Sequence, residues 1–250
     1  SFSWYLRPSN EKLQNTTSYL QELELIDKSH QITTLGLKAL SLPLEPDMAL
    51  LAIKLMEKNF HSTFAAEIVS LLTEKDPFPD LNYQGTNIAR DGWECDLLSR
   101  WEKWKDSRGT HSGRLHQLQK SMQQVRTQLD GLFKKSSSDL YEKNRIDGNQ
   151  LSSQQLQLFS QCLFEVFSPW LSRRRKSGET KAITRRGRGV ELDKNSFVRQ
   201  ADFFIALKRM EGLSLSDTKV QWASGISVAW IKEFGVDKIQ KKSEIKYDRE

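Results

Sequence analysis

Features that would mark several common protein classes are scarce or missing in this 250-residue sequence. The two cysteines, Cys95 and Cys162, lie far apart, so neither a disulfide framework nor a zinc knuckle is indicated. No apolar run approaches the roughly 20 residues that a bilayer-spanning helix needs, so we expect no membrane partner. The opening segment SFSWYLRPSN has no basic region followed by an apolar one. We therefore expect the cytoplasm as the location.

Motifs that carry chemistry are missing as well. The sequence has no G-x-x-x-x-G-K-[ST] loop, no G-x-G-x-x-G and no G-x-S-x-G, so neither nucleotide binding nor a serine nucleophile is indicated. His111 and His116, with Cys95 upstream, fall short of a convergent set of metal ligands. Acid pairs such as Glu22 with Glu24 and Glu94 with Asp96 are typical of solvated turns or helix ends. We expect no catalytic residue, no metal and no cofactor in this chain.

Positive charge is present, and it is concentrated in one place. The segment RRRKSGETKAITRRGRG, residues 173–189, holds eight basic residues and one acidic residue, a local charge of +7. The whole chain carries +6, so the other 233 residues sum to −1. Arginine outnumbers lysine six to two in this segment, and guanidinium groups suit bidentate contacts with phosphate. Most charge runs are solvated surfaces, but this one indicates nucleic-acid binding with strong salt dependence.

Hydrophobic periodicity predicts a mainly α fold. A helix follows Ser9 or Asn10, and a turn and strand after it would form the tail of a winged-helix unit. Five helical segments follow from residue 45 to about residue 165; Pro46 starts the first, in which Met48, Leu51, Ala52 and Leu55 lie on one side. Tryptophans 93, 101 and 104 have the spacing of core residues rather than of a stacking platform.

A smaller β part is predicted after Pro169. The segments KAITRRGRGVELD, ADFFIALKRMEG and TKVQWASG are short, rich in β-branched or aromatic residues and bounded by turn residues. Such strands predict a small barrel or sandwich, with ISVAWIKEFGV as a helix against it and a further strand in IQKKSEIKYDRE. The basic segment would then lie between a helix end and a strand turn, a setting suited to single strands.

The order of these segments resembles the C-terminal part of DEAH-box helicases of the HrpB type. The family pattern L-x-x-L-x-x-[LI]-D, followed by [LI]-T-x-L-G and L-P-[LV]-x-P, is matched by Leu20, Leu23, Ile26, Asp27, Ile32, Thr33, Leu35, Gly36, Leu42, Pro43, Leu44 and Pro46. AAEIVSLLTEKDPF and CDLLSRWEKW resemble two later helices of that family. The family's G-R-G-A-x-L passage is matched by Gly187, Arg188, Gly189 and Leu192, with Phe203 and Ala206 beyond.

The resemblance implies three domains. Residues 1–44 would be a winged-helix exit, residues 45–150 a helical ratchet domain, and residues 151–250 a linking helix with an OB-like β-domain. It also implies that two RecA-like motor domains, which bind ATP and Mg²⁺, belong to a longer bacterial parent chain, of which this sequence is a fragment. The fragment itself would be inactive as an NTP hydrolase and would line the channel for single-stranded RNA, with DNA as the alternative strand.

Ten residues make up the predicted nucleic-acid site. The cations that would contact phosphates are Arg173, Arg174, Arg175, Lys176, Lys181, Arg185, Arg186 and Arg188. Gly187 and Gly189 would let the backbone approach closely. Lys120, Gln124 and Arg126 on the longest helix would add secondary contacts.

Two other classes of protein stay open at this point. A stand-alone winged-helix DNA-binding protein would need a recognition helix before the wing, and only one helix precedes QITTLG. A protein-interaction module would use the basic segment to dock an acidic partner, and it would bind RNA weakly with little dependence on strand type.

Overall fold

The structure is a computed structural model that describes residues 5–81, 93–107, 113–134, 146, 151–210 and 218–235. In these ranges the chain is mainly α-helical with a smaller β part, as predicted. The helices are α1 (Asn10–Glu22), α2 (Thr34–Leu40), α3 (Pro46–Glu57), α4 (Ser62–Thr73), α5 (Asp96–Asp106), α6 (Gly113–Lys134), α7 (Ser153–Phe167) and α8 (Val228–Phe234). The strands are β1 (Leu171–Arg174), β2 (Lys181–Thr184), β3 (Gly189–Leu192), β4 (Phe203–Met210) and β5 (Thr218–Gly225).

The predicted strand after α1 is replaced by a helix. Ser9 caps α1, its hydroxyl accepting from the Lys12 amide at 3.3 Å, but the segment after the turn forms α2. The Thr33 hydroxyl accepts from the Gly36 amide at 3.0 Å and so begins this helix. In place of the expected strand, the described residues show an isolated antiparallel bridge between Ile26 and Ile32. Gly36 is required because a Cβ there would overlap the Leu25 carbonyl.

Helix α3 lies at the centre of the helical part. Pro46 occupies its first turn, as predicted, but the helix is not apolar on one side alone. Besides Met48, Leu51, Ala52 and Leu55, its buried side chains are Ala49, Leu50, Ile53 and Met56. Helices α2, α4 and α7 pack around it, which explains why both sides are buried.

The aromatic residues confirm the prediction of a tryptophan-containing core. Trp93, Trp101 and Trp104 are all buried. The Trp101 ring lies edge-on to Phe64, with ring centroids 5.0 Å apart, and its indole donates to the buried Glu67 carboxylate at 2.8 Å.

The five strands close into one barrel, in the order β1-β2-β3-β5-β4 and back to β1. All neighbouring pairs are antiparallel except β3 and β5, which are parallel. The segment KAITRRGRGVELD was predicted as one strand segment, and it is divided into β2, a turn and β3. The barrel has its own apolar interior, which includes Val190, Phe204 and Val220.

Helix α8, which was predicted to lie against the barrel, makes its clearest packing contacts with the helical part. It packs on α7, where the rings of Phe164 and Phe234 are 5.9 Å apart. Trp93 and Trp230 make a second ring contact, at 5.7 Å. The composition of residues 79–92 and 136–150 predicts loops; these fall largely outside the described residues, as does the predicted final strand in 239–250. Among the described residues, no helix is both long and apolar enough to cross a bilayer.

Candidate nucleic-acid interface

The barrel has a covered half and an open half. Strands β4 and β5 are buried on both faces over most of their length, because α7 packs on β4 and α5 packs on β5. Strands β1 and β2 instead alternate between inward, buried residues and outward residues that reach solvent, and β3 follows the same alternation with half-buried outward residues. We call the outer face of β1, β2 and β3 the open face.

Strand register places several predicted site residues side by side on the open face. Arg173 of β1 lies opposite Ile183 of β2, which lies opposite Gly189 of β3. The Arg175 amide donates to the Lys181 carbonyl at 3.1 Å, and both side chains are exposed. Because side chains two residues apart on a strand share a face, these three cations surround Ile183, which is 43% exposed.

The turn from β1 to β2 carries two of the predicted cations. Arg175 and Lys176 are both exposed there. Lys176 Nζ lies 3.9 Å from a Glu179 carboxylate oxygen, in a pair that is open to solvent. Glycine is required in this turn at Gly178, whose φ is +78°.

The turn from β2 to β3, Arg185–Arg188, holds three more cations and is called the basic turn. Arg185, Arg186 and Arg188 are exposed, and the Gly187 amide donates to the Thr184 carbonyl at 2.8 Å. Gly187 has a φ of +79°, a left-handed conformation that glycine adopts more readily than other residues. No atom lies within 4 Å of where its Cβ would stand, which leaves the backbone accessible.

The basic segment therefore does not form one cluster. It begins in β1, six residues after the end of α7, so the expected position at a helix end was wrong. Its two turns lie at opposite ends of the four-residue strand β2, which separates them by about 13 Å at 3.3 Å per residue. The cations lie at both ends of the open face, with Arg173 and Lys181 on it.

Arg174 is the exception among the predicted cations, because it is buried and only 5% exposed. Its guanidinium donates to the Ala201 and Val198 carbonyls, at 2.8 Å each, and to the Glu179 carbonyl. The side chain thereby ties β1 to the first turn and to the segment before β4. It is engaged in holding the barrel together and is not placed to contact a phosphate.

Arg186 is exposed, but it already has an anionic partner. Its guanidinium pairs with the carboxylate of Glu22, the last residue of α1. Sequence reasoning missed this contact, since the two residues are 164 positions apart and Glu22 looked like a solvated helix-end acid.

Two other acids, Glu94 and Asp96, were expected to be solvated. They instead join the barrel to the helical part. Asp96 is fully buried and accepts from the Ser196 hydroxyl at 2.7 Å and from the Phe197 and Ala223 amides at 2.7 and 2.8 Å. Burial raises the pKa of the Asp96 carboxyl, while Arg100 and these hydrogen bonds act in the opposite direction. Glu94 accepts from three successive amides, those of residues 199–201.

The secondary contacts predicted on α6 are not part of the open face. Lys120 and Gln124 are exposed, whereas Arg126 is half-buried and lies 3.7 Å from Asp130. Helix α6 packs on α4 and α3, on the helical side of the molecule. These residues are therefore left out of the site that we define on the barrel.

No centre for metal chemistry is found in the part of the chain that the structure describes. His61 caps α4, its ring nitrogen accepting from the Thr63 amide at 3.1 Å, and His111 lies outside the described residues. Cys95 and Cys162 are buried free thiols, and burial raises the pKa of Cys95 to about 11.

Comparisons with known proteins give a likeness of fold. No family model and no curated protein matches the sequence. The crystal structure of the E. coli DExH-box NTPase HrpB is similar over 95% of this chain, with a TM-score of 0.63 and 19% identity. A second crystal structure, of the Escherichia coli DEAH/RHA helicase HrpB, is similar over 90% of this chain, with a TM-score of 0.56 and 19% identity. This chain spans only 24% and 23% of those chains.

Proposed function

We propose that this chain is a non-catalytic, nucleic-acid-binding part of an ATP-dependent helicase, and that its open face holds the backbone of single-stranded RNA. The observation that carries the proposal is the location of the charge. Of the eight predicted cations seven are exposed, and all seven lie on the open face or in the two turns that border it. Helices cover the other half of the barrel, so this is the half that a strand can reach.

The fold supports the domain assignment within this proposal. A five-stranded barrel of order β1-β2-β3-β5-β4 fits an OB-like domain, in which the face of strands 2 and 3 binds oligonucleotides. Helices α3 to α6 would be the ratchet domain, and α1 with α2 the winged-helix exit. The similarity to about a quarter of two HrpB chains agrees with a role as one part of such a helicase.

An apolar surface on and near α2 fits the proposed motor domains. Leu37 and Leu40 of α2 are 56% and 75% exposed, and the nearby Ile32 is 47% exposed. Large apolar side chains gathered on one short helix mark a surface that another protein covers. In the proposed parent, the RecA-like domains with their ATP and Mg²⁺ cover this surface, and chemistry takes place there rather than in this chain.

The experiment measures the binding of labelled single-stranded RNA by fluorescence anisotropy at several salt concentrations. The test variant reverses two cations of the open face and one of the adjoining basic turn, Arg173→Glu, Lys181→Glu and Arg185→Glu. The control variant reverses three exposed cations elsewhere, Lys28→Glu, Lys103→Glu and Arg114→Glu. Each variant changes the net charge from +6 to 0, so the two differ only in where the charge is lost.

We expect the wild-type affinity to fall steeply with salt, and the test variant to lose most of its affinity. The slope of log K against log salt should become shallower by about 2, at about 0.7 per phosphate contact on a single strand. The control variant should keep most of its affinity. Equal losses of affinity in both variants would contradict an RNA site on the open face. Weak binding with the same affinity for every type of strand would favour the protein-interaction module.

A further inference from the structure

Helix α1 is held to the molecule mainly at its C-terminal end. None of its residues is buried, although Tyr19 and Leu20 pack partly against the core. The Tyr19 hydroxyl donates to the Asp47 carboxylate at 3.0 Å, and Asp47 lies 3.8 Å from the Arg209 guanidinium of β4. The pair between Glu22 and Arg186 adds a direct polar contact between α1 and the barrel.

The end of α1 that meets the basic turn is electrostatically negative. Glu22 is its last residue, and the last turn contains no basic residue to offset the negative end of the helix dipole. Glu24 and Asp27 follow directly and are exposed. Glu22 thus brings the negative end of α1 into contact with Arg186 of the basic turn.

We propose that Glu22 occupies the place on Arg186 that a phosphate of the RNA backbone takes, so that α1 and the bound strand compete for the basic turn. A carboxylate and a phosphate both accept charge-assisted hydrogen bonds from a guanidinium group, and they cannot both have the same donors. The Glu22 side chain is 31% exposed and that of Arg186 is 52% exposed, so an incoming phosphate can reach the pair. This inference rests on the proposed function and names a regulatory contact of the same site.

The first test compares the variants Glu22→Gln and Glu24→Gln in the RNA titration at low salt. Each removes one negative charge within two residues of the other, and both keep the size of the side chain. Glu22→Gln should tighten RNA binding by about two- to fivefold, the range of an exposed ion pair, and Glu24→Gln should change it much less. In an Arg186→Gln background, Glu22→Gln should bring no further gain.

The second test follows hydrogen exchange of the amides in Asn10–Glu22 with and without RNA. Competition predicts faster exchange in α1 when RNA is bound, because its contact with the barrel is lost. Equal effects of Glu22→Gln and Glu24→Gln, or slower exchange in α1, would overturn the inference while leaving the RNA site in place. Absence of RNA binding in every variant would overturn the proposed function, and the competition with it.

Discussion

Strands β1–β3 and strands β4–β5 belong to one barrel but have different surroundings. Outward residues of β4 and β5, such as Ile205, Leu207 and Trp222, join the apolar core of the helices. Outward residues of β1 and β2, such as Arg173 and Lys181, reach solvent. One closed sheet thus has one half that joins it to the helical part and another half whose outward residues face solvent.

The largest expected effect on stability comes from removing Asp96, which joins the helical part to the barrel. Asp96→Ala removes the acceptor of three hydrogen bonds and leaves buried donors in β5 and in the segment before β4. We expect the free energy of unfolding, measured by urea denaturation, to fall by about 3 kcal/mol. Asp106→Ala, at the exposed end of the same helix, should change it by no more than about 0.5 kcal/mol. Similar losses for both variants would contradict the role of Asp96 in the joint.

A second prediction separates two adjacent arginines. Arg174→Gln breaks hydrogen bonds to three carbonyls, so we expect a loss of about 2 kcal/mol in unfolding free energy. Arg175→Gln should leave stability unchanged within about 0.5 kcal/mol and weaken RNA binding. Urea denaturation and anisotropy on both variants check this. If Arg175→Gln destabilised the fold as much as Arg174→Gln, the division between buried and open cations would be wrong.

The smallest effects concern two exposed glycines. Gly187→Ala places a side chain at φ +79°, so it should destabilise the barrel by about 1 kcal/mol. Gly131→Ala in α6, where nothing lies within 4 Å of a new Cβ, should stabilise the helix by about 0.5 kcal/mol. Thermal unfolding of the two variants should therefore shift in opposite directions. An unchanged or raised unfolding temperature for Gly187→Ala would show that the turn does not need glycine.

Much of the fold could be predicted because it depends on local patterns. The cap at Ser9, the start of α3 at Pro46 and the strands after Pro169 each follow from neighbouring residues. The prediction failed at QITTLG, where β-branched residues favoured a strand and the Thr33 cap produced a helix instead. The three domain boundaries stay predictions.

The candidate site was predictable in its charge and not in its arrangement. The concentration of eight cations in residues 173–189 is visible in the sequence, and seven of them are exposed. Nothing in RRRK distinguishes Arg174 from its neighbours, because the inward direction of that one residue depends on where β1 starts. The partner of Arg186 was equally invisible, since Glu22 lies in another helix.

The sequence by itself therefore determined the helical periodicity, the short strands, the turn glycines and the position of the excess charge, all of which depend on residues close together in the chain. Only the tertiary structure decided which cations are exposed, because strand register and barrel closure turn Arg174 inward and Arg173 outward. It also decided that Asp96 and Glu22 are anchors rather than solvated acids. Their donors come from segments more than 100 residues away, which no local pattern can specify.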